Sequence, residues 1–133
     1  MDMRILTLKQ LIKNNACEDQ LELFRDTFGR FVEIEEPLAA LYARKFNFEW
    51  AAGNLLSAEA YFKYSKVRTD ACVKYDKVRM PAWVEYEKVR DTLSTKERDA
   101  AFDKYEKVTW LFCWEYKRTC ATTFARLYIT DQT

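Results

Sequence analysis

The chain has no histidine, and only two glycines and two prolines occur among its 133 residues. The absence of histidine removes the side chain that most often serves as a general base or metal ligand near neutral pH. Glycine and proline supply the tight turns of sandwiches and barrels, so their scarcity disfavours those folds. The sequence also lacks a Gly-rich phosphate loop, a G-x-S-x-G motif and metal-ligand spacing. We therefore expect a mostly helical protein that is not an enzyme and binds neither a cofactor nor a metal.

Charge and hydrophobic runs exclude further classes. The 22 Lys and Arg residues against 21 Asp and Glu leave a formal charge of +1, so the chain is no acidic mimic of nucleic acid. The charge is uneven, because residues 1–59 hold 7 basic and 10 acidic residues and the remainder holds 15 and 11. No stretch approaches about eighteen uncharged apolar residues, and the first twelve residues do not resemble a signal peptide. We expect a cytoplasmic protein without a membrane partner.

The cysteines carry little chemical information. There are four of them, and none forms a C-x-x-C motif: Cys17, Cys72, Cys113 and Cys120. This pattern predicts reduced, mostly packed thiols, with a metal or a disulfide as the less favoured alternative.

The first 56 residues predict a small helical head. Thr7 and Gln10 have the spacing of a capping box at the start of the first helix. The other predicted elements are a helix over 18–28 that ends at Gly29, an extended stretch at 31–35, a helix from Glu36 and Pro37 through Lys45, and a helix over 48–56 capped by Asn47.

The rest of the chain is built from repeats of eleven residues. From Ala60 the rows read AYFKYSKVRTD, ACVKYDKVRMP and AWVEYEKVRDT, and AFDKYEKVT follows from Ala101. Eleven residues make three helical turns at about 98° per residue, so the first, fifth and eighth places of each row fall on one stripe. We call this stripe the seam, and its predicted larger members are Tyr64, Val67, Tyr75, Val78, Tyr86, Val89, Tyr105 and Val108.

A helix with one exposed apolar stripe must bury that stripe, either against another part of the same chain or against a partner. The insertion at 93–100 shifts the repeat phase and contains the capping box S-T-K-E, so the sequence predicts a reversal between Asp91 and Thr95. Two arms result, about 58–92 and 95–129.

Pro81 preserves the eleven-residue phase, which favours a kink over the start of a new helix. The predicted fold class is all-α, with a small helical head (residues 1–56) followed by a long antiparallel helical hairpin of eleven-residue repeats (residues 57–133).

Basic residues also recur in the rows, with lysine at the seventh place and arginine at the ninth. One interpretation is a solvated face with internal ion pairs such as Asp70 with Lys74. The functional interpretation is a row of cations for an acidic partner or a phosphate backbone. Arg79 precedes Trp83 by four residues, so its guanidinium can stack on the indole, and this pairing is typical of interface anchors. The candidate partner-binding residues are Arg68, Arg79, Trp83, Arg90, Lys77 and Lys88.

The tryptophans allow two placements. Trp83 serves either as an interface anchor or as a packing residue against the head. Trp110 and Trp114 lie in the most apolar stretch of the chain, which predicts that both are in the core.

Three blocks together resemble a group of small phage and prophage proteins of uncharacterised function. The blocks are ACEDQLELFRDTFG at 16–29, FxFEWAAxNLL at 46–56, and the AxxxYxKVR rows. The resemblance covers most of the chain, implies a phage origin and supplies no catalytic residues. Cofactor-free phage proteins of this size often bind and block a host machine, anti-CRISPR proteins among them.

Three functions are compatible with these features. The leading hypothesis is a protein-binding inhibitor that acts on a host complex, with a CRISPR effector as one candidate target. The first alternative is a nucleic-acid-binding helical module, and the second is a structural phage component that forms homo-oligomers through the repeat stripe.

Overall fold

The computed structural model describes residues 4–91 and 94–131 and is mostly helical. This confirms the mainly helical part of the predicted fold class, and the described chain ends in a pair of long helices. The elements in chain order are β1 (Arg4–Thr7), α1 (Leu8–Lys13), α2 (Glu18–Phe28), β2 (Phe31–Ile34), α3 (Glu36–Leu41), α4 (Phe48–Leu55), α5 (Ala58–Arg90) and α6 (Thr95–Thr130).

Capping residues set several helix boundaries where the sequence predicts them. The side chains of Thr7 and Ser94 each accept a hydrogen bond from the third residue of the following helix, and both complete capping boxes. Asn47 and Ser57 cap α4 and α5 in the same way, without the reciprocal bond. Gly29 ends α2 with a φ of 79°, a conformation that glycine adopts without steric cost.

A two-stranded sheet corrects the all-α prediction. β1 pairs antiparallel with β2, with Arg4 opposite Ile34 and Thr7 opposite Phe31. The extended stretch at 31–35 was predicted, but a strand before Thr7 was not. Four residues carry too little periodicity to predict a strand, and the pairing that forms this strand joins residues distant in sequence.

The third helix is shorter than predicted. It ends at Leu41 instead of continuing to Lys45, and the amides of Lys45 and Phe46 both donate to the carbonyl of Tyr42. This turn brings the ring of Phe46 to 5.7 Å from that of Phe28, between ring centroids. Aromatic packing in the head therefore overrides the continuation of the helix.

The long helices agree with the repeat pattern. α5 is unbroken through Pro81, so this proline does not begin a new helix. α5 ends at Arg90 and α6 begins at Thr95, and the reversal predicted between Asp91 and Thr95 falls within this interval of the sequence. Residues 92 and 93 of that interval lie outside the described residues.

The main buried core crosses the boundary between residues 56 and 57. It combines side chains of the head with those of the first turns of α5 and the last turns of α6: Leu6, Leu11, Phe24, Ala52, Tyr64, Cys120, Phe124 and Tyr128. A second cluster joins Ala39 and Ala43 to Ala121 and Ala125 of α6. The head is thus stabilised by helices that begin outside it.

Polar contacts fasten the start of the described chain to its end. The guanidinium of Arg4 donates to the backbone oxygens of Tyr128 and Asp131, at 3.1 and 2.7 Å, and lies over the ring of Tyr128. The carboxylate of Asp131 in turn accepts from the backbone amide of Ser57 at 2.7 Å. β1, α5 and α6 are therefore held together at one end of the long helices.

The seam lies between α5 and α6 over most of its length. Tyr64 is buried, and the other predicted members are half-buried except Val67, which is 38% exposed. Four ring contacts cross between the helices: Tyr75 with Tyr116, Trp83 with Tyr105, and Tyr86 with both Phe102 and Tyr105.

Replacing Val78 by aspartate is expected to destabilise the protein by about 2 kcal/mol, because it moves a charge into a half-buried apolar contact. Val73 lies on the same helix but is 48% exposed, so Val73→Asp is the matched control and should cost less than about 0.5 kcal/mol. Urea unfolding followed by circular dichroism measures both changes. Equal losses in the two variants would contradict the assignment of the seam.

Candidate partner-binding surface

The predicted stack of Arg79 on Trp83 is wrong. The guanidinium of Arg79 donates to Asp76 at 3.0 Å and lies over the ring of Tyr75, 5.4 Å from its centroid. Trp83 is half-buried, and its ring centroid lies 5.1 Å from that of Tyr105 on α6 and 5.5 Å from that of Tyr86. Trp83 therefore packs between the two long helices and not against the head.

The other four candidates are spread along α5. Arg68 approaches Glu49 of α4 at 3.8 Å, and Arg90 approaches its neighbour Asp91 at 3.6 Å. Lys77 and Lys88 are exposed and have no carboxylate within 4.0 Å in the described part of the chain. The span from Arg68 to Arg90 is about 33 Å at 1.5 Å per residue, so the six residues do not form one compact patch.

A compact patch with the same chemistry lies on α6. Trp110 is 51% exposed, which contradicts its predicted place in the core. The guanidinium of Arg44 lies 4.7 Å from the ring centroid of Trp110 and 5.6 Å from that of Trp114. Leu111 is 56% exposed beside Trp110. We call Arg44, Trp110, Leu111 and Trp114 the Trp110 patch.

Alanine packing positions the arginine of this patch. Ala39 and Ala43 pack against Ala121 and Ala125, and side chains this small allow α3 and the turn after it to approach α6 closely. The turn after α3 then brings Arg44 over the two indole rings. Trp114 also contacts the alanine cluster and is half-buried, and its ring lies under the same guanidinium as that of Trp110.

An ion pair fixes the other end of α3. Arg126 of α6 donates to Glu36 at 2.8 Å, and this hydrogen bond raises the pKa of the guanidinium further. α3 is thus held on α6 at both ends.

The surface next to the patch is shallow and mostly apolar. Tyr75 of α5 and Thr109, Trp110, Leu111 and Cys113 of α6 line a depression, with Glu106 and Lys107 at its edge. Exposed aromatic and aliphatic side chains beside a planar cation are the composition of a protein-binding surface.

Sequence reasoning missed this patch for two reasons. Trp110 and Trp114 are one turn apart in a dense apolar stretch, which is also the pattern of a buried helix face. Arg44 was assigned to the last turn of a helix ending at Lys45, whereas it lies in the turn that follows α3. The sequence shows the spacing of the two tryptophans, but it does not show that Arg44 lies over both of them.

A partly buried polar cluster lies where α4, α5 and α6 meet. Tyr116 donates to Glu49 at 3.1 Å, and the hydroxyl of Tyr64 lies beside the thiol of Cys120 without a hydrogen-bond partner among the oxygens and nitrogens of the described residues. Burial, followed by the proximity of Cys120, raises the pKa of both tyrosines. Burial also raises the pKa of the Cys120 thiol, so this cysteine is not an activated nucleophile.

The burial of the cysteines agrees only in part with the prediction. All four are free thiols, but Cys17 and Cys72 are exposed, whereas mostly packed side chains were predicted. Cys113 is half-buried.

Tyr64 makes the free energy of unfolding depend on pH in the alkaline range. Because its pKa is raised in the native protein, the native state keeps the phenolic proton while the unfolded chain loses it above pH 10. This contribution to stability is complete below pH 10 and falls as pH rises, by up to about 1.4 kcal/mol per pH unit. We expect Tyr64→Phe to flatten the fall, as measured by urea unfolding below and above pH 10.

Tyr61→Phe is the matched control for this experiment, because Tyr61 is on the same helix and 39% exposed. It should keep the wild-type dependence on pH. An unchanged slope in Tyr64→Phe would show that this hydroxyl does not control the alkaline limit.

The head contains an apolar cavity of about 70 Å³, with Phe24, Phe28 and Phe46 among its lining residues. Ligand pockets usually measure about 300–1,000 Å³, so the space does not fit a cofactor. Among residues 4–91 and 94–131, no group of three or more His, Cys, Asp or Glu side chains is arranged to hold a metal ion.

No helix in the described ranges has the length and apolar character needed to span a membrane. Comparison of the chain with protein-family models, curated proteins and solved structures finds no significant match.

Proposed function

We propose that this protein is a binding protein without enzymatic activity that inhibits a host complex, and that it docks through the Trp110 patch. The observation that carries the proposal is the half-exposed indole of Trp110, held under the guanidinium of Arg44 beside an exposed leucine. Tryptophan and arginine are the side chains most enriched among residues that dominate binding energy.

The patch is preorganised for binding. Trp110 lies on a regular helix, Trp114 packs against the alanine cluster, and the guanidinium of Arg44 lies over both rings. Side chains ordered before association lose less conformational entropy when the partner binds. The fitting partner is a protein surface that offers an apolar pocket for the indole and a carboxylate for Arg44.

We also propose that the eleven-residue repeats form an antiparallel hairpin that carries this patch. The order of ring contacts supports it: Tyr75, Trp83 and Tyr86 of α5 meet Tyr116, Tyr105 and Phe102 of α6, so residue numbers rise along one helix and fall along the other. A paired scaffold of this kind presents the patch on a stiff element.

The class of target rests on the resemblance to small phage and prophage proteins. A phage protein that acts by binding reaches its target in the cytoplasm of the host, where CRISPR effectors are one class of multi-subunit machine. A CRISPR effector is therefore one candidate target within the proposal.

Affinity capture from host cytoplasm, with mass spectrometry and with or without nuclease, tests the proposal. We expect a specific protein complex to be retained after nuclease treatment and in moderate salt. The Arg44→Ala/Trp110→Ala variant should lose it. The Arg79→Ala/Trp83→Ala variant is the internal comparison, because it removes the arginine and tryptophan predicted from the sequence.

Two results would contradict the proposal. Loss of capture only in the Arg79/Trp83 variant would move the interface to α5. Tight binding to bare RNA or DNA that weakens steeply with salt, and falls equally with each lysine removed, would favour the nucleic-acid-binding alternative. Lys77 and Lys88, which are exposed and have no ion pair within the described part of the chain, are the side chains that such binding would use first.

A further inference from the structure

A second apolar stripe runs along α5 on the side away from α6. The third place of every row on this helix is apolar and exposed: Phe62 at 63%, Val73 at 48% and Val84 at 43%. Met80, 50% exposed, lies about 33° to one side at about 98° per residue. The seam lies on the opposite side, because its fifth-place residues are rotated by about 164° from the stripe. We call Phe62, Val73, Met80 and Val84 the α5 outer face.

Charged residues border this face on one side. Glu59 and Asp70 hold the eleventh place of their rows, and Lys66, Lys77 and Lys88 hold the seventh. In the described part of the chain, Asp70, Lys77 and Lys88 have no ion pair within 4.0 Å, and the predicted pair of Asp70 with Lys74 is not formed. The ammonium of Lys66 lies over the ring of Phe62, 5.3 Å from the ring centroid.

We propose that the α5 outer face binds a second copy of this chain in an antiparallel, twofold-symmetric pair. The inference rests on the order of the charged residues along the border of the face. If residue i of one copy faces residue 147 − i of the other, Asp70 meets Lys77 and Glu59 meets Lys88. The twofold axis repeats both contacts, so one register makes four opposite-charge contacts and leaves no like-charge contact among these four side chains.

The apolar residues fit the same register within one residue, a shift of about 1.5 Å along the helix. Val73 then lies opposite Val73 of the second copy, and Phe62 lies opposite Val84. This contact uses the third and tenth places of the rows. It therefore leaves the seam between α5 and α6 intact and leaves the Trp110 patch uncovered.

The size of the face predicts a weak association. Residues 59–88 extend over about 44 Å, and a helix is about 10 Å wide, which gives a footprint of about 440 Å² per copy. Stable interfaces bury about 800 Å² per partner. The dimer should therefore form in a concentration-dependent manner and weaken as salt screens the four charge contacts.

Exchange of the border charges tests the register. Sedimentation velocity over a concentration series should show the wild-type chain moving from monomer to dimer. Asp70→Lys and Lys77→Asp should each weaken association by about tenfold or more, because each turns two attractions into two repulsions. An equimolar mixture of the two variants should associate like the wild type, since the introduced lysine then meets the introduced aspartate and the two native side chains meet each other. The double variant Asp70→Lys/Lys77→Asp should also associate like the wild type.

Val73→Asp tests the apolar contact, because it sets two carboxylates against each other at the twofold axis and should abolish the dimer. Ile12→Asp is the matched control, since Ile12 is 52% exposed on α1 and lies off the face. A wild type that stays monomeric throughout the series overturns the proposal. So does a mixture that associates no better than its components, or a dimer that survives Val73→Asp.

Discussion

Replacing Phe124 by alanine is expected to lower the free energy of unfolding by about 3–5 kcal/mol, the usual cost of removing a buried aromatic ring. Phe124 is 1% exposed, and its ring lies 5.8 Å from that of Phe48 and 5.5 Å from that of Tyr128, between centroids. The alanine side chain cannot fill this space, and the surrounding helices relax only partly. Denaturant unfolding followed by far-ultraviolet circular dichroism measures the loss.

The same variant tests whether the head and the long helices unfold together. Phe124 belongs to α6 but packs in the core of the head, so its loss should shift one cooperative transition and not divide it into two. Phe31→Ala is the matched control, because Phe31 is 57% exposed on β2, and its loss should cost less than about 1 kcal/mol. Separate transitions for the head and for the helices would contradict a shared core.

Replacing Trp110 by alanine is expected to weaken binding to the captured partner about thirtyfold, which corresponds to about 2 kcal/mol. The change removes the largest exposed side chain of the Trp110 patch and the ring on which Arg44 lies. Since Trp110 is 51% exposed, its loss should leave most of the free energy of unfolding unchanged. Titration calorimetry with the purified partner measures the affinity, and thermal unfolding checks the fold.

Arg44→Lys separates charge from ring stacking at this patch. Lysine keeps the positive charge but lacks the planar group that stacks on the indoles, so binding should fall by less than with Trp110→Ala but measurably. Ile12→Ala, which removes a 52% exposed apolar side chain from the head, should bind like the wild type. If Trp110→Ala and Ile12→Ala bind equally well, the Trp110 patch is not the docking surface.

Whether a feature of the fold could be predicted depends on how far apart in the sequence the residues that determine it lie. The capping residues and Gly29 act within a few residues of each helix end, so their effects can be inferred from short segments. The eleven-residue period acts along a whole helix and favoured a kink at Pro81 over the start of a new helix, and α5 does continue through Pro81. β1 and the early end of α3 both escaped prediction, because each depends on contacts with residues distant in sequence.

For the candidate site, the residue types were predicted but not their locations. An arginine paired with a tryptophan was expected, and such a pair exists, but it joins Arg44 to Trp110 across 66 positions instead of Arg79 to Trp83 across four. Helical spacing predicts which side chains share a face of one helix. It does not predict that Arg79 turns to Asp76 and Tyr75 while Trp83 packs against α6.

The sequence alone determined the helical class, the caps of α1, α4, α5 and α6, and the repeated stripes of the long helices, because these follow from backbone propensity and periodicity. The tertiary structure decided which stripe is covered. The tyrosine and valine seam is mostly half-buried between α5 and α6, and the α5 outer face remains exposed. It also decided that Trp110 faces solvent, because the alanines of α3 and the following turn occupy the adjacent face of α6 and bring Arg44 to it. Burial depends on which surfaces meet in space, and a pattern read along one helix cannot specify its partner.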